Sequence, residues 1–148
     1  MTGQIVGLLR QLNQSLEHEG REQMKRLDIS PSQGLILHYL LSQKGRTVFS
    51  TELHRQFGMS KSALSTALKG LKQRGYLVMT TVPGDDRKKG IVLTDRAQEA
   101  EKQIREGLDR QQERLCRNIP EPLLKVLEGI LHDMIRNMNT QESGRNDT

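Results

Sequence analysis

The chain has a single cysteine, no tryptophan and only four aromatic rings, Tyr39, Phe49, Phe57 and Tyr76, among 148 residues. One thiol, Cys116, excludes an intrachain disulfide framework and any zinc site built from several cysteines. Proteins that read single strands or RNA stack bases on several exposed rings, so this scarcity turns a nucleic-acid reading toward duplex DNA. Long apolar runs are also missing. The longest near-continuous stretch, 35–41, is interrupted by His38, against the ~18 residues a membrane span requires. The first residues are broken by Arg10 and lack a small-residue cleavage site, so they are not read as a secretory leader, and a cytoplasmic setting is expected. His18, His38, His54 and His132 are dispersed, with no His-x3-His pair, and Glu17-His18-Glu19 reads as a solvated stretch. No nucleotide-binding loop, HExxH or Gly-x-Ser-x-Gly occurs. Neither an enzyme, nor a metal site, nor a cofactor is expected.

What is present is a modest core and an uneven charge. Leu, Ile, Val and Phe make up a quarter of the chain, above the ~20% level below which disorder prevails. Residues 44–96 hold eleven Lys and Arg against four Asp and Glu, whereas the rest of the chain is slightly acidic. A basic middle between acidic flanks is the footprint of a polyanion site.

Apolar spacing organises the chain into mostly helical segments. Ile5, Leu9, Leu12 and Leu16 recur at helical intervals and predict a helix over 3–27. Ser30 as N-cap and Pro31 at the first helical position start a second helix through Leu41, closed by Gly45. A short β-like run over 47–49 precedes Ser50, read as the N-cap of a helix over 52–57. Gly58 closes that helix, Ser60 caps the next over 61–74, and Gly75 ends it. Two short helices joined by a Gly-Met-Ser turn fit a helix-turn-helix. A strand over 76–82, a type II turn at Pro83-Gly84 and a return strand over 91–93 make a β-hairpin wing behind it. Thr94 caps a long polar helix carrying Ala97, Ile104, Leu108 and Leu115. After Pro120 and Pro122 comes a last helix with Leu123, Leu127, Ile130, Leu131, Met134 and Met138 on one face. The tail over 139–148 is polar and reads as disordered. The expected fold is mainly α with a small β wing. It is read as one domain over 1–138, with a winged helix-turn-helix over 28–96 flanked by dimerisation helices over 3–27 and 97–138.

In the helix over 61–74, Leu64, Leu68 and Leu71 form the inward stripe, and Ala63, Ala67 and Gly70 permit close neighbours. Ser62, Ser65, Thr66 and Lys69 lie opposite. Short hydroxyls let a helix backbone sit deep in a major groove, and Lys61 adds charge to the positive end of the helix dipole.

These residues carry a family resemblance. Ser32-Gln33 with Leu37 and Leu40, the run from Phe57 through Ser65 to Leu71, Gly75-Tyr76-Leu77, Asp85-Asp86-Arg87 and Leu93-Thr94 together resemble the MarR (multiple antibiotic resistance regulator) family over residues 3–138. Asp-x-Arg followed by Leu-Thr is the most specific element, and Asp95 departs from the glycine or glutamate frequent after it. The resemblance implies a homodimer joined through its first and last helices, bound to duplex DNA as a ligand-responsive repressor. Ser60, Lys61, Ser62, Ser65, Thr66 and Lys69 would form the recognition-helix contacts. Asp85, Arg87, Lys88 and Lys89 would form the wing, with Arg87 in the minor groove and Asp85 orienting it. Ile5, Leu9, Leu12, Leu123, Leu127, Ile130, Leu131 and Met134 are the expected dimer interface, and His18, His38 and Tyr39 the candidate effector pocket. Cys116, between Arg114 and Arg117, reads as a structural thiol rather than a redox sensor. The competing reading is a winged helix that binds proteins instead of DNA; the filled wing tip disfavours it.

Overall fold

The computed structural model describes residues 3–82 and 84–140, and for residues 82 and 85–88 the backbone alone. The expected turn residue Pro83, the wing side chains of Asp85, Arg87 and Lys88, and the tail over 141–148 therefore lie outside the described residues.

The N-terminal stripe folds as α1 (Gln4–Met24), and a 3-10 turn (Lys25–Leu27) completes the segment expected as one helix. The tightening has a visible cause. Asp28 adopts a left-handed conformation, φ 55°, and its N–H closes on the Lys25 carbonyl at 3.1 Å. Ser30 then opens α2 (Pro31–Ser42) with a complete capping box, its hydroxyl accepting from the Gln33 N–H while the Gln33 side chain accepts from the Ser30 N–H.

The β-like run is β1 (Val48–Phe49), followed at once by α3 (Ser50–Phe57). Ser50 is not the N-cap. That position belongs to Phe49, held extended by its pairing with Gly90, so Ser50 is already the first helical residue. Gly58, at φ 63°, turns the chain, and Ser60 caps α4 (Lys61–Gln73). β2 (Leu77–Val82) and β3 (Asp85–Leu93) make the hairpin, and β1 adds to it antiparallel, giving the order β1-β3-β2. The return strand is longer than the Ile91–Leu93 segment expected, because ladder pairing continues beyond Ile91 to Lys89 and resumes at Asp85. α5 (Asp95–Leu115) follows Thr94, whose carbonyl accepts from the Ala97 and Gln98 N–H groups. α6 (Glu121–Asn139) completes the described chain.

The chain forms two compact units, one through Gln111 and one from Gln112. The core of the first joins every layer of the winged helix: Ile36 and Leu37 of α2, Val48 of β1, Leu53 of α3, Leu71 of α4, Leu77 of β2 and Ile104 of α5 are all fully buried. Tyr76 is buried with them, and its hydroxyl donates to the Leu27 carbonyl at 2.9 Å, which removes the cost of an unpaired polar group. The second unit has no such interior. No residue of α6 is buried, and Leu123, Leu127, Ile130 and Leu131 are exposed, with Met134 half-buried. In the first unit the start of α1 behaves the same way, with Ile5, Leu9 and Leu12 exposed.

Candidate nucleic-acid interface

Leu64, Leu68 and Leu71 turn one face of α4 into the core, and this burial dictates what the opposite face shows. Lys61, Ser62, Ser65, Thr66 and Lys69 are all exposed. Two hydroxyls on this helix are engaged locally. Ser60 Oγ accepts from the Ala63 N–H at 3.1 Å, and Thr66 Oγ1 donates to the Ser62 carbonyl at 3.0 Å. Ser60 is thus first a cap, and Thr66 has its single donor turned back on the helix.

Between α3, α4 and the sheet lies a groove of about 740 Å³. Phe49, Leu64, Leu68 and Met79 contribute apolar walls, while Arg55, Lys61, Lys69, Lys72 and Lys89 contribute cations. No carboxylate occurs among the described residues lining it. Five cations around one concave surface, beside the positive end of the α4 dipole, form a site that attracts a polyanion. The sequence reading brought Lys61, Ser65, Lys69 and Lys89 to this site, and it omitted Arg55 and Lys72. Their signal was their position on the two helices of the same motif.

The hairpin carries an irregularity beside this groove. Thr81 pairs with Lys89, but Val82 pairs with Asp85, so residues 86–88 are extra on β3. Such a bulge bends a strand and interrupts its ladder. Arg87 and Lys88 belong to that insertion.

A polar cluster fixes α3 beneath the groove. Arg46 donates to both carboxylate oxygens of Glu52, at 2.9 and 2.6 Å, and the Tyr39 hydroxyl donates to Glu52 Oε2 at 2.5 Å. Arg46, followed by Tyr39, holds the Glu52 carboxyl down at about 2, and the same contact with Glu52 raises the Tyr39 hydroxyl. The Tyr39 ring meets Phe57 edge-on at 5.8 Å. Tyr39 is therefore tied into the junction of α2 with α3, whereas His18 and His38 are exposed, and none of the three lines the described groove. Cys116 is half-exposed, with the Gln112 amide 3.8 Å from its sulfur. Among the described residues no cluster of three His, Cys, Asp or Glu side chains could hold a metal, and no helix is long and apolar enough to cross a membrane.

Residues 27–88 match the model of the MarR family. No curated protein sequence matches the chain significantly. Among solved structures, the transcription regulator MarR from Oenococcus oeni PSU-1 is 23% identical and superposes with a TM-score of 0.78 over 89% of this chain and 98% of that one. MepR from S. aureus, solved as a DNA complex, is 19% identical over 90% of this chain and 97% of its own, with a TM-score of 0.81. A MarR-family regulator from Listeria monocytogenes, complexed with 26mer DNA, is 15% identical over 90% and 87%, also with a TM-score of 0.81. The mostly helical architecture and the three-stranded sheet agree with these structures: the chain has the winged helix-turn-helix fold, and its residues 27–88 are similar to the MarR family.

Proposed function

We propose that the chain is a cytoplasmic, homodimeric repressor that binds duplex DNA at a pseudo-palindromic operator and is released by a small-molecule effector. The observation that carries this reading is the cationic groove along α4, with Arg55, Lys61, Lys69, Lys72 and Lys89 around it and no described carboxylate among them. The exposure of Lys61, Ser62, Ser65, Thr66 and Lys69 supports their role as contacts to base edges and phosphates, and the Ser60 hydroxyl caps the end of the same helix. Asp85, Arg87, Lys88 and Lys89 form the wing contacts, with Arg87 in the minor groove, as the family resemblance implies. The solved DNA complexes of MepR and the Listeria protein support the same partner.

The dimer reading rests on Ile5, Leu9, Leu12, Leu123, Leu127, Ile130, Leu131 and Met134. Seven of these are exposed in the single chain, three in the first unit and four in the second, apolar residues that a second copy would cover. Two-fold symmetry then sets operator half-sites about 10 bp apart. The effector reading keeps His18, His38 and Tyr39. Because Tyr39 holds Glu52, an effector touching it would act on the seat of α3.

The test is retention of genomic fragments by the purified protein at physiological salt. A few fragments sharing a palindrome are expected, with a log–log salt slope of roughly 6–10 if that many phosphates are neutralised. Equal retention of all fragments would indicate an architectural binder. Retention of none would favour a protein-interaction module. Arg87→Ala is expected to weaken operator binding and to leave the dimer intact; loss of the dimer in that variant would mean the wing is misplaced.

A further inference from the structure

The C-terminal half of α4 is held by side-chain donors from three parts of the chain. Gln33, in the first turn of α2, donates through Nε2 to the Ala67 carbonyl at 3.1 Å. Arg74 donates to the Gly70 carbonyl at 3.2 Å and, through Nε, to Asp28 at 3.2 Å. Arg96, in the first turn of α5, donates to the Arg74 carbonyl at 2.5 Å, with its guanidinium 4.8 Å above the Tyr76 ring. Gln33 is the most constrained of these. It is only 9% exposed, and its oxygen accepts from the Ser30 N–H at 2.8 Å, so the amide is fixed at both ends. The surface beneath is shaped for it: a Cβ on Gly70 would lie 2.5 Å from Gln33 Nε2.

Packing alone does not call for an amide there. An apolar side chain over Ala67 and Gly70 would bury the same surface but would let α4 slide or roll. A hydrogen bond to one chosen carbonyl sets both translation and rotation, which is how a satisfied buried polar group specifies one arrangement. Base reading needs that tolerance, of the order of 0.5 Å, whereas attraction to phosphates does not.

We propose that Gln33, assisted by Arg74 and Arg96, is a positioning residue that holds α4 in register for base reading; this rests on the DNA-binding function above. Gln33→Glu tests it. Glutamate keeps the capping-box acceptor but turns a carboxylate oxygen on the Ala67 carbonyl. The affinity of the variant for a selected genomic fragment should fall about tenfold. Its affinity for a scrambled duplex of the same length, and its salt slope, should stay within twofold. Equal losses on both duplexes, or no loss, would overturn the assignment. A wild-type protein that does not distinguish the two duplexes would remove the DNA reading itself, and that is visible before any variant is made. Gly70→Ala should lower both the melting temperature and the discrimination. Adding Gln33→Ala to it should restore the melting temperature alone, and recovery of both would mean that the amide merely fills space. Should Gln33→Glu not fold, the exposed Arg96→Met carries the same test, with a loss of about threefold in discrimination expected and an unchanged ratio overturning the proposal.

Discussion

α4 and α6 are both amphipathic, yet they resolve their apolar stripes in opposite ways. α4 sinks Leu64, Leu68 and Leu71 into the core and leaves lysines and hydroxyls as its exposed face. α6 leaves Leu123, Val126, Leu127 and Ile130 between 43% and 59% exposed, so its apolar stripe is itself the outward face. A stripe already buried in its own chain contributes stability to that chain. A stripe left in water contributes only when a second surface covers it. The two helices therefore predict different consequences for the same class of substitution.

The largest effect is expected on α6. Leu127→Asp would place a charge in the proposed dimer contact, at a cost of several kcal/mol unless it is solvated, and dimer affinity measured by sedimentation should fall at least about hundredfold. The variant chain should still unfold cooperatively, because Leu127 lies outside the buried cluster. A soluble, DNA-competent dimer of normal affinity would refute the interface. On α4, Leu71→Ala should instead cost the fold itself about 3 kcal/mol, the usual scale for emptying a fully buried leucine site, read by urea unfolding. If Leu71→Ala weakened the dimer and spared the fold, the contrast between the helices would be reversed.

Acid should sharpen the comparison from the side of α3. The Glu52 carboxyl titrates at about 2 in the folded chain against an ordinary 4.5, so the folded state binds fewer protons than the unfolded one in between. Its contribution is complete above 4.5 and disappears as the pH falls from there through 2. Glu52→Gln should therefore lower the melting temperature at pH 6 and have little effect at pH 2. The same loss at both pH values would show that Arg46 and Tyr39 do not act through the carboxylate.

Much of this frame was legible because it rests on local chemistry. Ser30 with Pro31, Gly58 and Ser60 announce helix ends through local chemistry, and the structure places those boundaries where the sequence did. The Ser50 cap was misread because a strand ending at Phe49 supplies the same extended geometry that a capping residue would. The extra residues 86–88 leave no sequence signal, since a bulge is decided by the partner strand. The wall of the groove was half legible: Lys61 and Lys69 follow from the periodicity of α4 and Lys89 from the family resemblance, but Arg55 and Lys72 join them only through tertiary packing. Gln33 and Ala67 are 34 residues apart, and no periodicity links a glutamine to a carbonyl at that distance. The exposed apolar residues of α1 and α6 were assigned to a dimer from the family resemblance; their helical spacing is the same whether a stripe faces its own chain or another.

Smaller effects test whether the exposed face of α4 is separable from its buried one. Ser60→Ala removes the acceptor for the Ala63 N–H and should cost about 1 kcal/mol of stability. Lys89→Ala should be nearly silent in unfolding, within about 0.5 kcal/mol, because the side chain is exposed. Its effect should appear in DNA binding, as a reduction of the salt slope by about one with all sequences weakened alike, the mark of a phosphate contact. A change in sequence preference with an unchanged slope would instead make Lys89 a base reader. The wing beside α4 would then contribute specificity as well as attraction.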